Sequence, residues 1–246
     1  MTDAGGHACM FHVGRSGSTV VADQLLQHPG LAWAGEMLDP KRLRRPVGPA
    51  AAIDRVAAGI RAAGHRRFGC ETKFYHLRRA GLPLAAFLDA LDRLRFDRFL
   101  VVRRRNLLRK VVSSQVARAS RRWHLPAGET AALHPVRLDP AAVPVEGETR
   151  PLLAIIEGYL ADFRALDAAL GGRPRLDLVF EDDIRPDPAA AGLRASDFLG
   201  LPPHPAAVRL APTTPWPLGR VVENLDEVRA HLAGTAHAWM ADEDEG

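Results

Sequence analysis

The feature that most constrains the fold is a short polar loop between an apolar run and a helical pattern near the start of the chain. The apolar run covers residues 8–11, the loop covers residues 14–19, and apolar residues then recur at helical spacing up to residue 26. This order predicts a strand, a tight loop and a helix. A strand that leads directly into a helix favours a sheet covered by helices.

The rest of the chain repeats this alternation. Short apolar segments predict further strands at residues 31–34, 68–73, 98–102 and 176–180, and apolar residues at helical spacing predict amphipathic helices at 84–94 and 152–166. The alternation predicts an α/β fold, a three-layer sandwich in which helices flank a central parallel sheet of about five strands. Ligands bind outside the carboxyl ends of the strands in such sheets, so the residues that follow each strand are the candidate site.

Composition fits one compact domain. Of the 246 residues, 47% are hydrophobic and 25% charged, and we interpret 1–246 as a single domain with a Pro-rich insertion at about 126–151 and an acidic C-terminal tail. The start has no basic segment followed by a long apolar one, and no apolar run is long enough for a membrane span, so we expect a cytoplasmic protein. A formal charge of +4 favours small polyanions over a long nucleic acid as partners.

The sequence predicts neither a disulfide framework nor a metal site. Cys9 and Cys70 are too far apart for a CxxC motif. His7, Cys9 and His12 lie close together in sequence, but in an extended strand residues 7 and 9 face one way and residue 12 faces the other. We therefore expect no metal ligand set here.

The loop has the properties of an anion site. A loop that opens a helix directs unpaired backbone N–H groups and the positive end of the helix dipole at one point. Arg15 adds a fixed charge, and Gly17 allows a phosphate to approach the backbone closely; hydroxyl donors come from Ser16, Ser18 and Thr19. The alternative is structural, with a serine capping the helix and a solvated arginine. The loop lacks the Gly-Lys pair of a Walker motif and the GxGxxG spacing of a dinucleotide site, which disfavours a typical nucleoside triphosphatase.

A second candidate anion site follows the strand at 98–102. Arg105 stands at the strand's end and Ser113 lies eight residues later, so the two could converge on one phosphate if the chain bends between them. An arginine-rich run is also typical of a solvated helix face or a nucleic-acid patch. Trp123 is the only aromatic residue nearby that could stack on a base, which favours the cofactor interpretation.

These motifs resemble those of sulfotransferases that use 3′-phosphoadenosine 5′-phosphosulfate (PAPS). Residues 15–19 resemble the loop that binds the 5′-phosphosulfate in that family, and Arg105 and Ser113 match the residues that bind the 3′-phosphate. With segments 35–36, 180–183 and 223–235, the chain is similar to the bacterial carbohydrate sulfotransferases of the trehalose and nodulation-factor type. The resemblance implies a P-loop-like fold and sulfuryl transfer from PAPS to a hydroxyl of a carbohydrate or natural product, without a metal.

The resemblance also implies roles for individual residues. Glu36 corresponds to the general base, which works best if burial raises its pKa, and His76 is the competing candidate. Arg15 would stabilise the leaving group, Lys73 would contact the sulfate or pair with a carboxylate, and Arg220 is a weaker candidate for the cofactor's adenine or 3′-phosphate. Two alternatives stay open: a kinase-like P-loop phosphotransferase, and a non-enzymatic Arg-rich nucleic-acid-binding module.

Overall fold

The computed structural model describes residues 6–40, 43 and 47–242. The strands are β1 (His7–His12), β2 (Leu31–Glu36), β3 (Arg67–Lys73), β4 (Phe96–Arg103), β5 (Leu125–Pro126), β6 (Val143–Val145), β7 (Glu148–Arg150), β8 (Arg175–Val179) and β9 (Leu210–Ala211). The α-helices are α1 (Ser18–Leu26), α2 (Pro49–Ala63), α3 (Phe74–Arg79), α4 (Leu84–Arg93), α5 (Leu107–Ser120), α6 (Leu152–Leu170), α7 (Pro188–Phe198), α8 (Leu218–Val221) and α9 (Leu225–Leu232). A π-helical turn covers Phe180–Ile184, and a 3₁₀ turn covers Ala238–Ala241.

The central sheet has five strands in the order β2-β3-β1-β4-β8. Every neighbouring pair in it is parallel. These are the five strands that the sequence predicts, and the two predicted amphipathic helices correspond to α4 and α6. The predicted fold class is therefore confirmed.

Helices cover both faces of this sheet. Side chains of successive strand residues point to opposite faces, so the buried strands present apolar residues on each face. On one face, Ala8 and Met10 of β1 belong to an apolar cluster with residues of α1 and α7, among them Val21, Leu25 and Ala195. On the other face, Phe11 packs at ring-centroid distances of 6.2 to 6.5 Å against three aromatic rings, those of Phe74, Phe87 and Phe99. Two buried cores with the sheet between them make the predicted three-layer sandwich.

The chain divides into two compact units. The first comprises Met1–Arg103 and Asp162–Val208 and contains the five-stranded sheet; the second comprises Arg104–Ala161 and Arg209–Gly246. The single-domain interpretation stays a prediction. The Pro-rich segment at 126–151 belongs to the second unit and forms the hairpin β6–β7, and the end of the acidic tail after Asp242 lies outside the described residues.

A buried polar group anchors this hairpin within the second unit. Lys110 of α5 donates a hydrogen bond to the Tyr159 hydroxyl, and its Nζ lies 3.7 Å from Glu146 Oε1 at the hairpin turn. The Tyr159 hydroxyl in turn donates to Glu146 Oε1 at 2.9 Å. The ammonium, hydroxyl and carboxylate satisfy one another, as buried polar groups must.

In the part of the chain that the structure describes, we find no helix with both the length and the apolar character that crossing a bilayer requires. The cytoplasmic location stays a prediction.

Replacing Gly69 with Ala is expected to destabilise the first unit by about 1 to 3 kcal/mol, the usual cost of overpacking a core. Gly69 of β3 pairs with Trp33 of β2, and an added Cβ would lie 2.3 Å from the Trp33 indole. Urea denaturation measures the loss. Gly172→Ala is the matched control, because its Cβ would meet nothing within 4 Å, and we expect a change within about 0.5 kcal/mol. Equal losses in the two variants would contradict the packing argument.

Candidate functional site

The loop between β1 and α1 turns on two residues with positive φ. Arg15 has φ 68° and Gly17 has φ 81°, so the chain reverses tightly and α1 begins at Ser18. Gly17 is the N-cap residue and has no side chain to accept the first N–H groups of α1. Those donors stand at the carboxyl end of β1, where the sequence predicts an anion site.

The predicted hydroxyl donors of the loop differ in their surroundings. Ser16 is buried and donates to the Val13 carbonyl at 2.7 Å, so its hydrogen serves the loop itself. Ser18 is also buried, and its Oγ lies 2.8 Å from His12 Nδ1. Thr19 is exposed. The structural alternative of a serine cap is not what the loop shows, since the capping position is occupied by Gly17.

Packing requires a glycine at position 17 as much as backbone conformation does. A Cβ there would lie 2.9 Å from Phe180 Cδ2 and 3.0 Å from Ile184 Cγ2, both in the π-helical turn after β8. The sequence assigns Gly17 to close approach by a phosphate. The structure adds that Gly17 lets the loop pack against this turn.

Glu36 reaches the site through a β-bulge. Trp33 pairs with Gly69 and Glu36 pairs with Glu71, so three steps along β2 match two along β3. Gly35 absorbs the irregularity with φ 64°, a conformation that glycine adopts readily. The bulge changes the direction of the Glu36 side chain, which then lies beside β3.

Glu36, Lys73 and His76 form one polar cluster. Lys73 Nζ lies 2.7 Å from each carboxylate oxygen of Glu36, and His76 Nε2 lies 3.5 Å from Glu36 Oε2. The Lys73 backbone N–H donates to His76 Nδ1 at 3.3 Å, which puts the proton of a neutral His76 on Nε2, facing Glu36. Lys73 Nζ is also 3.7 Å from the point where a Gly14 side chain would begin, so the cluster adjoins the loop. Three of the four predicted catalytic residues therefore lie together.

Two opposing effects set the pKa of Glu36. Burial acts to raise the pKa of the Glu36 carboxyl, but the positive charge of Lys73, with further contributions from His12 and His76, outweighs burial and holds that pKa below its ordinary value. Glu36 is therefore an ionised carboxylate near neutral pH. Its basicity depends on the position of Lys73.

Sequence reasoning missed a second chain of contacts on the same face of the sheet. Trp33 Nε1 donates to Glu71 Oε1 at 2.9 Å, and Glu71 Oε2 lies 3.3 Å from His12 Nε2. The other ring nitrogen of His12 meets Ser18 Oγ. The sequence signal was the position of His12 two residues before the loop, but the pairing of β1 with β3 is what brings Glu71 to it.

His12, Glu36 and Glu71 offer ligand atoms within 4.8 Å of one another, a grouping that can attract a cation. Lys73 already supplies one, because its ammonium contacts both Glu36 oxygens, and Trp33 occupies one oxygen of Glu71. A divalent ion would have to displace that ammonium. We therefore do not assign these three residues as metal ligands.

The candidate residues of the second unit lie on α5 and just before it. Arg105 is exposed and precedes Asn106, whose side chain caps α5 by accepting the Arg109 N–H at 2.9 Å. Ser113 is buried on α5, with its Oγ 3.3 Å from Thr214 Oγ1. The cap explains why the helix begins where the sequence predicts an anion-binding turn.

Arg220 lies on a segment that packs on the same helix. Its guanidinium stacks over the Trp216 ring at 4.8 Å, and the Trp216 carbonyl accepts a hydrogen bond of 2.7 Å from Arg109 of α5. Arg220 and Ser113 therefore belong to two neighbouring parts of the second unit, since Thr214 contacts Ser113. The predicted contact of Arg220 with a cofactor stays a prediction.

No protein-family model matches the sequence, and a search of curated proteins gives no match. Among solved structures, the sulfotransferase domain of the Synechococcus PCC 7002 olefin synthase is similar at 17% identity, covering 83% of this chain and 77% of that one, with a TM-score of 0.45. An unliganded sugar kinase from Janibacter sp. HTCC2649 is similar at 14% identity, covering 81% and 96%, with a TM-score of 0.45. Scores this low carry no argument, so the fold rests on this chain's own strand order.

Gly17→Ala is expected to lower the free energy of unfolding by about 2 to 4 kcal/mol, because overpacking and a left-handed alanine both carry a cost. The clash is with Phe180 and Ile184. Gly14→Ala is the control in the same loop: its Cβ would make an ordinary 3.7 Å contact with Lys73 Nζ, so stability should be almost unchanged. Chemical denaturation compares the two variants. A Gly17→Ala protein as stable as Gly14→Ala would refute the packing role.

Glu36→Gln is expected to cost about 1 to 3 kcal/mol of stability at pH 7, because Lys73 loses its charged partner. The folded pKa of Glu36 is depressed, so its ionised form stabilises the protein above the ordinary glutamate value of about 4.3, and this contribution disappears as the pH falls through the lower folded pKa. The stability difference between variant and wild type should therefore shrink in acid.

Thermal unfolding across a pH series measures this difference. Glu148→Gln is the control, since Glu148 is exposed and forms with Arg150 an ion pair from which little stabilisation is expected. A gap for Glu36→Gln that is independent of pH would contradict the electrostatic account.

Proposed function

We propose that this protein is a sulfotransferase that moves the sulfuryl group of PAPS to a hydroxyl of a carbohydrate or natural-product acceptor. The observation that carries the proposal is the pair Glu36 and Lys73 beside a helix-opening loop that has no lysine of its own. The pair offers a base and a cation next to a set of anion-binding N–H groups. Transfer to a hydroxyl needs all three, because a proton must leave the acceptor while negative charge builds on the leaving phosphate.

The candidate donor-binding residues of the first unit then have defined tasks. PAPS supplies the activated sulfuryl group and leaves as 3′-phosphoadenosine 5′-phosphate (PAP). The N–H groups at the start of α1 and the Thr19 hydroxyl bind the 5′ end of the donor. Arg15 and Lys73 stabilise the negative charge that builds there, in the way that fixed cations do in phosphoryl transfer.

Glu36 is the proposed base, and His76 its positioning residue. The hydrogen bond from the Lys73 backbone occupies His76 Nδ1, so the remaining ring nitrogen presents a hydrogen to Glu36 and is not a proton acceptor. Glu36 is partly exposed, which leaves its carboxylate accessible to an acceptor hydroxyl. A bound anion would share the charge of Lys73, and the weaker pairing would make Glu36 a stronger base.

Arg105 and Ser113 are the proposed ligands of the 3′-phosphate. The support is the sequence match together with an exposed guanidinium at Arg105 and a hydroxyl pair at Ser113 and Thr214 in the second unit. Arg220 is a further candidate of that unit. A 3′-phosphate contact is what separates PAPS and PAP from ADP and ATP.

Ligand-dependent thermal stability tests the proposal, because a ligand raises the apparent stability of the state that it binds. PAP should stabilise the protein more than ADP, ATP with magnesium, or a short RNA at equal concentration. Stabilisation by ATP with magnesium alone would favour a kinase-like phosphotransferase, and stabilisation by RNA alone would favour a nucleic-acid-binding module. Either result would overturn the proposal.

Arg105→Ala should weaken PAP binding by about ten- to hundredfold, the worth of one or two charge-assisted hydrogen bonds, and should leave ADP binding unchanged. Calorimetric titration with both nucleotides measures this. Arg118→Ala is the matched control, as Arg118 is an exposed arginine of α5, the helix that follows Arg105. Equal losses for PAP and ADP would count against the assigned 3′-phosphate contact.

A further inference from the structure

His12 is a buried histidine at the end of β1 to which the proposed reaction gives no task. Its side chain is 1% exposed, and its neighbours Ser18 and Glu71 are 3% and 7% exposed. Nδ1 of His12 lies 2.8 Å from Ser18 Oγ, and Nε2 lies 3.3 Å from Glu71 Oε2. The Glu71 carboxylate, the His12 imidazole and the Ser18 hydroxyl therefore follow one another in contact, and Ser18 belongs to the loop.

Glu71 acts on His12 mainly through its charge. Trp33 fixes the Glu71 carboxylate by a hydrogen bond to Oε1, and His12 Nε2 has no hydrogen-bond partner among the described residues although Oε2 is near. A carboxylate 3.3 Å from an imidazole nitrogen favours a proton on that nitrogen. The geometry therefore favours a proton on Nε2 both when the ring is neutral and when it is an imidazolium.

The proton on the other ring nitrogen decides what Ser18 can do. When Nδ1 has no proton, it accepts the Ser18 hydroxyl hydrogen, and Ser18 can offer an anion only its lone pairs. When Nδ1 carries a proton, it donates to Ser18 Oγ or to the Val13 carbonyl 3.3 Å away, and the hydroxyl hydrogen is available to a ligand. An anion on the loop favours the second arrangement by hydrogen bonding and by charge.

We propose that the loop binds its anion in the form in which His12 is an imidazolium, so that binding is linked to the uptake of one proton and Ser18 becomes a donor to the anion. His12 is then a positioning residue, which acts through Ser18. The inference rests on the proposed function because it concerns the same loop. Its chemistry applies to any phosphate or sulfate bound there.

The surrounding charges support an imidazolium at this place. The charged and titratable groups around this end of β1 include Glu71 and Lys73 on β3, Glu36 on β2, His76 on α3 and Arg15 in the loop. The neighbouring elements β4 and α1 also carry Asp97, Arg98, Arg103 and Asp23. The partner of His12 on β4 is the apolar Val102. Lys73 is paired with Glu36, which leaves the buried Glu71 as the carboxylate that a charged His12 would balance.

Inorganic sulfate is the probe, because it stays a dianion throughout the neutral pH range and takes up no proton itself. Calorimetry in two buffers of different ionisation enthalpy counts the protons bound with each sulfate. At alkaline pH we expect uptake to approach one proton, and the Kd for sulfate to rise about tenfold per pH unit. Histidine is the side chain whose charge ordinarily changes in this range.

His12→Asn separates positioning from titration, since an amide can donate to Ser18 but binds no proton. We expect this variant to bind sulfate with a Kd that does not change with pH and with no proton uptake. His65→Asn is the control: His65 is exposed and outside the cluster, so its replacement should leave the wild-type proton count unchanged. Wild-type uptake retained in His12→Asn would overturn the inference.

If His12→Asn does not fold, a measurement on the wild-type protein still tests the protonation of His12. Nitrogen NMR of the His12 ring should show a shift to imidazolium values when sulfate is added at alkaline pH, and an unchanged ring would overturn the inference. The two proposals can fail separately. Proton-linked sulfate binding without a preference for PAP over ADP would refute only the function. PAP selectivity without proton uptake, or without any binding of sulfate, would refute only the role of His12.

Discussion

The candidate site depends on the parallel pairing of β1 with β3. The register places His12 opposite Lys73 and Met10 opposite Glu71, so two strands far apart in sequence end at the same edge with their polar residues adjacent. The loop and α1 follow β1 from that edge, and α3 follows β3. One set of backbone hydrogen bonds therefore brings the first N–H groups of α1, a lysine and a histidine together.

The position of the lysine shows how this loop differs from a Walker loop. In the Walker pattern the lysine follows the last glycine of the loop itself. Here Gly17 is followed by Ser18, and an ammonium group reaches the loop from Lys73 of the neighbouring strand. A strand lysine can also contact a carboxylate on the next strand, and the β2 bulge turns Glu36 toward it. The Lys73 ammonium and the Glu36 carboxylate are thus coupled.

The sequence was sufficient for what depends on local pattern and insufficient for what depends on register. The strands and amphipathic helices follow from apolar spacing, and all five central strands were predicted. The resemblance selected Glu36, Lys73 and His76, which the structure brings together. The lowered pKa of Glu36 was not foreseen, because a single sequence does not show that Lys73 contacts the carboxylate. The contacts from Trp33 to Ser18 were missed for the same reason, as they require the registers of β3 with β2 and with β1.

Charge balance connects the cluster of Glu36, Lys73 and His76 with the contacts that run from Trp33 through Glu71 and His12 to Ser18. Glu36 and Glu71 are two carboxylates on one face of the sheet, and in the absence of a ligand Lys73 compensates the first of them. Under the proposed function, an incoming anion draws on the charge of Lys73, which leaves more negative charge on Glu36 and favours a proton on His12. The same event thereby strengthens the base and turns the Ser18 hydroxyl toward the ligand. Binding of the donor would prepare the site for the acceptor, without requiring any movement of the sheet.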